Sequence, residues 1–279
     1  MKKFLKAILG GIVAATFALS AVACGGGNDA KTIKVGASST PHAEILEQVK
    51  DDLKAQGYTL EIRIMDDYVT PNTALQEGDL DANYFQHEPY LLNFNAENNT
   101  TLATAAKIHY EPFGVYGKNV TQDSFDTNKT GRTILIPSDG SNCTRALFVL
   151  QQEGYVTLRE GVTAADTLSD QDIANANGNT VTLVEAAQIP AQLANANDGT
   201  IAVINGNYAL AAELDIEDAL ATESAEGEAA QLYANIIAVK KGNENSEKTK
   251  ALVAALKTQE VYDYINDTYN GAVMPVFSL

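Results

Sequence analysis

Arg145, Asn205 and a group of aromatic side chains are the residues of this sequence best suited to holding a small charged molecule. In the stretch DLDANYFQHEPYLLNF (79–94), Tyr84, Phe85, His87 and Tyr90 fall close together behind two aspartates, and Tyr68 lies shortly upstream. Such a cluster either packs a core or walls an apolar pocket with a few polar handles. Arg145 is predicted in the first turn of a helix capped by Ser141 or Asn142. A basic residue there runs against the helix dipole, whereas free backbone N–H groups beside a forked guanidinium form a receptor for a carboxylate or phosphate. A surface salt bridge is the alternative in so acidic a chain. The amides of Asn205 and Asn207 stand where a strand gives way to a helix, placed either to cap it or to meet a ligand's ammonium and carboxylate. An arginine, an amide and an aromatic cage together suit an amino acid with an apolar side chain.

Catalysis finds less support. The sequence has no phosphate-cradling loop, no G-x-S-x-G and no H-E-x-x-H, and Cys143 stands in no thiol-protease signature. His42, His87 and His109 lie far apart, without short zinc-ligand spacings. No catalytic residue, metal site or cofactor is therefore expected, and the chain reads as a binder and not an enzyme.

The elements that must position these residues alternate. Strands are predicted at 32–38, 59–66, 80–86, 133–139, 179–186 and 200–206. Helices are predicted at 41–57, near 71–78, from Pro89, at 142–154, from Pro190, at 207–214 and at 246–267. This β-α-β order implies a parallel sheet, which binds ligands at the carboxyl ends of its strands. By that rule Ser38–Thr40, Asp66–Tyr68, Gln86–Tyr90, Ser138–Ser141 and Asn205–Tyr208 collect at one edge. Two long extended runs, 106–120 and 231–243, bracket a self-contained α/β block and read as crossovers between two lobes, 31–112 plus 237–279 and 113–236. Two lobes joined by two strands make a hinged cleft.

The first 23 residues are a different kind of sequence. Lys2, Lys3 and Lys6 precede AILGGIVAATFALSAVA, an apolar run too short for a membrane span and ending in small residues, which is a secretory signal peptide. Cys24 follows directly, and the Gly-rich stretch after it reads as a flexible tether over 24–30. Removing residues 1–23 takes three lysines and moves the formal charge from −17 to −20. So negative a field disfavours nucleic acid and anionic headgroups as partners. With Cys24 acylated, Cys143 would be the remaining thiol, so no internal disulfide is expected.

Five segments carry a resemblance: VGASSTPHAEILE (35–47), DYVTPNTALQEGDLDANYFQHEPYLLNFN (67–95), KIHYEPFGVYGKNV (107–120), INGNYAL (204–210) and GAVMPVF (271–277). Together they resemble the NlpA-like family of methionine-binding lipoproteins, over essentially the whole chain after the signal. The resemblance implies an α/β, two-lobed periplasmic-binding-protein fold of type II, with the ligand cleft between lobes joined by two crossover strands. It implies an extracytoplasmic substrate-binding subunit, held at the cell membrane by lipid, palmitate included, on Cys24. That subunit, as a monomer, would deliver methionine to an ABC permease and its ATPase. It assigns Tyr68, Tyr84, Phe85, His87, Tyr90 and His109 to the pocket wall, and Asn142, Arg145, Asn205 and Asn235 to the ligand's charged end. The segment PSDGSNCTRAL (137–147) departs from the family's P-N-D-P-x-N-x-x-R-A-L at Ser138, Gly140 and Cys143. Loss of the proline suggests a looser loop there. Ligand choice among L-methionine, D-methionine, a methionyl dipeptide or another small amino acid stays open at this point. A surface scaffold or adhesin is the reading from a different class.

Overall fold

The computed structural model describes residues 29–224 and 228–279; the signal sequence, Cys24 and most of the tether lie outside them. Lys31–Leu279 forms one compact unit built on two main sheets. The first holds β1 (Thr32–Ala37), β2 (Thr59–Ile64), β3 (Ala82–His87), β4 (Leu102–Tyr110), β12 (Asn235–Lys240) and β13 (Met274–Pro275), in the order β13-β4-β12-β3-β1-β2. The second holds β5 (Gly114–Gly117), β6 (Thr133–Pro137), β9 (Thr180–Val184), β10 (Ile201–Ile204) and β11 (Ala221–Thr222), in the order β11-β5-β10-β6-β9. A hairpin of β7 (Thr157–Leu158) and β8 (Ile173–Asn175) stands apart.

Both sheets follow one plan. Three parallel strands, β2-β1-β3 and β9-β6-β10, are each flanked by an antiparallel strand reached through a crossover, β12 and β5. The strand order therefore reverses beside β1 in one sheet and beside β6 in the other, and those switch points face the cleft. Both faces of each sheet are covered. On β12, Ile237 and Val239 join the cluster around Ile33, Val35, Leu46 and Leu252, while Ile236 and Ala238 join Leu75 and Leu91 on the opposite face. In the second sheet Ile134 and Ile136 meet Leu147 and Leu150 on one side, and Leu135 meets Ile189 and Leu193 on the other. Near-continuous apolar runs are what such doubly covered strands require.

The helices that serve the site begin at strand ends. They are α3 (Thr70–Glu77), α4 (Glu88–Asn98), α6 (Gly140–Gln152) and α8 (Gly206–Ala211). Others cover the faces: α7 (Ile189–Ala194), α10 (Glu247–Leu256) and α11 (Gln259–Tyr269). Two expected helices are broken. The segment 41–57 follows a cis Thr40–Pro41 bond and divides into α1 (Glu44–Gln48) and α2 (Lys50–Ala55), because Val49 leaves helical geometry at φ −101°, ψ 3°. The segment 246–267 divides into α10 and α11, because Thr258 is extended and its hydroxyl accepts the Val261 N–H. The helices α5 (Gln122–Thr127) and α9 (Glu228–Leu232), the β7–β8 hairpin and β11 were not legible as elements in the sequence.

Residues 111–113 and, among the described residues, 223–224 and 228–234 cross between the sheets. The extended run 231–243 is shorter than its composition suggests, since α9 occupies its start. Asn235 and Ile236 already pair with β3 and β4, so the first sheet begins before position 237.

Candidate binding site

The cavity is lined from strand ends, from the early turns of the helices that follow them, from the loop after β2 and from the crossovers. Gln86 and His87 end β3, and Tyr90 stands in the first turn of α4. Asn142 and Arg145 belong to α6; Asn205, Gly206 and Asn207 form the β10–α8 turn. Glu111, Phe113 and Asn235 come from the two crossovers and the start of β12, and Tyr68 and Phe85 complete the lining. The cavity holds about 310 Å³ of empty space, its open mouth included. Of the residues proposed from sequence, Tyr68, Phe85, His87, Tyr90, Asn142, Arg145, Asn205 and Asn235 are brought together here.

One end of the cavity is aromatic. Tyr68 lies with its ring centroid 5.8 Å from Phe85, 5.5 Å from Tyr90 and 4.9 Å from Tyr208. Tyr90 donates its hydroxyl to the Tyr68 carbonyl at 2.9 Å, which fixes both rings. The lobes are latched at this end by a reciprocal pair of bonds: Tyr68 Oη donates to Asn207 Oδ1 at 2.6 Å, and Tyr208 Oη donates to the Asp66 carbonyl at 3.1 Å.

The other end is polar and mostly self-satisfied. His87 Nδ1 accepts the Tyr90 N–H at 3.1 Å and so caps α4. Its proton therefore sits on Nε2, which donates to Asn142 Oδ1 at 3.1 Å. Asn205 Nδ2 donates to the same oxygen at 2.9 Å, and Asn142 Nδ2 donates to both oxygens of Asp139 at 2.9 and 3.0 Å. Asn142 faces the cavity with its amide already committed. Asn205 does not cap α8 with its side chain, and its Oδ1 is buried without a hydrogen-bond partner among the described residues. A buried orphan acceptor is costly and calls for a donor from outside the protein.

Arg145 departs from its expected place. Asp139, not Ser141 or Asn142, caps α6, so Arg145 falls in the second turn and the dipole argument does not apply to it. Its guanidinium is held by Glu223, with Nε 2.9 and 2.7 Å from the two carboxylate oxygens, and by the Glu111 carbonyl, to which Nη2 donates at 2.5 Å. Burial opposes its charge, but Glu223 and the Tyr110 side chain outweigh that and hold it protonated. Those bonds use Nε and Nη2 and leave the Nη1 edge. At Gly140, where a looser loop was expected, a Cβ would meet the Thr167 side-chain methyl, which fills the space.

Two proposed wall residues do not line the cavity. Tyr84 and His109 lie one layer behind it: Tyr84 points into the first-sheet core, and the irregular pairing of β3 with β12, which leaves Phe85 unpaired between Tyr84 and Gln86, lets Phe85 and Gln86 both face the cavity. There Tyr84 Oη hydrogen-bonds His109 Nδ1, and His109 Nε2 donates to Glu111 Oε1 at 2.6 Å. His42 joins them, accepting from Ser38 Oγ at 2.6 Å and donating to Asn235 Oδ1 at 2.9 Å, with Glu111 3.3 Å away. Histidines distant in sequence thus meet on one carboxylate, in a grouping that has the composition of a metal site. Hydrogen bonds fill the space between the donors, and every ring nitrogen has its partner. Glu111 and Phe113 were not assigned to the ligand site, and Gln86 and Gly206, expected at the ligand-facing edge, were not named as site residues. The one clue to Glu111 was its place inside KIHYEPFGVYGKNV, between two aromatic-rich strands.

Burial pushes His42 down to about 4 and His87 and His109 to about 3 from the ordinary 6.5. An unfolded chain would take up protons near pH 6.5 that the folded chain refuses until about 4, so stability falls as pH drops through that window. Burial pushes the Glu111 and Asp139 carboxyls up, which acts in the opposite sense but on fewer groups. The melting temperature of the ligand-free protein should therefore drop clearly between pH 7 and pH 5. A rise over that interval would mean that the fold holds charged imidazoles.

Two α/β lobes joined by two crossovers and closed over a cavity with one aromatic and one polar end define a bilobal solute-binding protein. The chain belongs to the NlpA lipoprotein family, which matches residues 33–277. It is similar to the methionine-binding lipoprotein MetQ of Bacillus subtilis, 38% identical over 98% of this chain and 99% of that one. Among solved structures, a lipoprotein from Ruminococcus gnavus is 48% identical with a TM-score of 0.82, covering 88% of this chain and 100% of that one. A nutrient-binding protein from Burkholderia cenocepacia, solved bound to methionine, is 35% identical with a TM-score of 0.78 over 88% of this chain and 100% of its own. No described helix is long and apolar enough to cross a membrane.

Proposed function

We propose that this protein is an extracytoplasmic solute-binding lipoprotein that captures methionine, as the L-enantiomer, and hands it to an ABC permease driven by its ATPase. The orphan Asn205 Oδ1 carries the reading, since it asks for a donor such as an ammonium group. Glu111 lines the cavity beside it and supplies the countercharge. The Nη1 edge of Arg145 and the amide Nδ2 of Asn235, whose Oδ1 is taken by His42, receive the carboxylate. Tyr68, Phe85 and Tyr90 surround the thioether, a polarisable group that packs well against ring edges. Methionine, for which the Bacillus subtilis relative is named and with which the Burkholderia cenocepacia protein was solved, agrees with this chemistry. Cys24, acylated after removal of residues 1–23, would anchor the monomer at the membrane, and the chain would bind its ligand without converting it.

Calorimetric titration of the unit Lys31–Leu279, unfolded and refolded to strip retained ligand, tests the proposal. Tight one-to-one binding of L-methionine is the expected result. Heat only with D-methionine, a methionyl dipeptide or another amino acid would keep the transport role and change the ligand. No heat with any of them, from demonstrably refolded protein, would favour the scaffold reading.

A further inference from the structure

Arg145 is gripped mainly by the two crossovers, with the Tyr110 ring, at the end of β4, 5.3 Å from its Cζ, although its own helix belongs to the second lobe. The first crossover supplies the Glu111 carbonyl and the Phe113 ring, whose centroid lies 3.9 Å from Cζ. The second supplies the Glu223 carboxylate and the Tyr233 ring, 4.8 Å away. Glu223 also binds the crossovers to each other. Its N–H donates to the Phe113 carbonyl at 2.9 Å, its carboxylate accepts the Phe113 N–H at 3.2 Å, and Tyr110 Oη donates to it at 2.7 Å. A carboxylate so fully supplied with donors is fixed in place, and its side chain is only 11% exposed.

We propose that Glu223 is the positioning residue for carboxylate recognition: by holding Nε and Nη2 of Arg145 at the junction of the crossovers, it aims the Nη1 edge into the cleft. The inference rests on the amino-acid reading above. Its physical logic is that a guanidinium on a long stem has many rotamers, and a bidentate partner selects the one in which two N–H groups remain for the ligand. Glu223 carries the same charge as the ligand's carboxylate, so if it only competed for Arg145 its removal would tighten methionine binding.

The test compares two ligands. The protein and its Glu223→Ala and Glu223→Gln variants are titrated with L-methionine and with L-methioninamide, which lacks the carboxylate charge. Glu223→Ala should lose about thirtyfold or more for methionine but only about threefold for the amide, so the preference between them falls by about tenfold. Glu223→Gln, similar in shape and still able to accept from Nε, should recover most but not all of that preference. If the alanine variant does not fold, a fall of about threefold in the glutamine variant's preference is the required result. Equal losses for both ligands would reduce Glu223 to a general structural role, and an unchanged preference or tighter methionine binding would overturn the proposal. Failure of the unaltered protein to bind methionine would instead overturn the ligand assignment. The same comparison would then be made with the amino acid that binds and its amide.

Discussion

Replacing Arg145 by alanine is expected to weaken methionine binding by about 2–5 kcal/mol, the cost of truncating one partner of a desolvated, hydrogen-bonded charge pair. That corresponds to roughly thirtyfold to several thousandfold in affinity. The loss has two sources. The ligand's carboxylate loses its charged donor, and Glu223, already enclosed by Tyr110 and the Phe113 backbone, keeps its charge without a cation. The second source also acts without ligand, so the variant should melt at a lower temperature. Arg145→Lys separates the two: an ammonium retains the charge for Glu223 but cannot reach Glu223, the Glu111 carbonyl and a ligand at once, so it should restore stability further than affinity. Titration calorimetry beside thermal melts measures both, and unchanged affinity in Arg145→Ala would remove Arg145 from the site.

Glu111→Ala should have the second large effect, lowering stability by about 2–4 kcal/mol and abolishing measurable binding. Its carboxylate accepts from His109 Nε2, lies 3.3 Å from His42 Nε2 and takes the Asn207 N–H, so its loss strands donors in the interior. The same carboxylate can be dislodged from the opposite side by the smallest of substitutions. A Cβ at Gly206 would stand 2.7 Å from Glu111 Cβ and 2.8 Å from Oε2, so Gly206→Ala must displace Glu111 to fit. Agreement between the two variants in ligand titration would tie the effect to the carboxylate. Normal binding by both would exclude Glu111 from the ligand's ammonium end.

The pattern of the sequence carried the sheets because each strand is a short apolar run ending in polar residues, and it carried the aromatic wall because Phe85 and Tyr90 flank such an end. Within that wall the difference between Phe85 and Tyr84 is one of strand parity, which assigns them opposite faces but does not say which face is the cleft. Parity alone also fails at Gln86, which lines the cavity although it alternates with Phe85, because the pairing of β3 with β12 slips at Phe85. Asn142 was legible as a site residue but its commitment to Asp139, His87 and Asn205 was not, since those partners come from both lobes. Glu111 and Glu223 were hidden for a related reason. Crossovers have no periodicity, and two more acids in an acidic chain carry no local signal until the fold sets them against Arg145 and the histidines. The breaks at Val49 and Thr258 escaped because their flanking residues keep helical composition on either side.

The crossovers have a mechanical consequence. β4 and β12 leave the first sheet as bonded antiparallel neighbours, β5 and β11 enter the second the same way, and Glu223 is bonded to Phe113 between them. The second crossover is not a strand throughout, since α9 lies within it, so Glu223 and Phe113 form the tie at which the two crossovers act as one. Sliding of one crossover past the other works against those bonds, which favours a single coordinate, bending about the tie. With motion confined to a single coordinate, many small solutes can reach the open cleft at similar rates. Selectivity then resides in how long each holds the bend at its closed end, which is a property of dissociation and not of encounter.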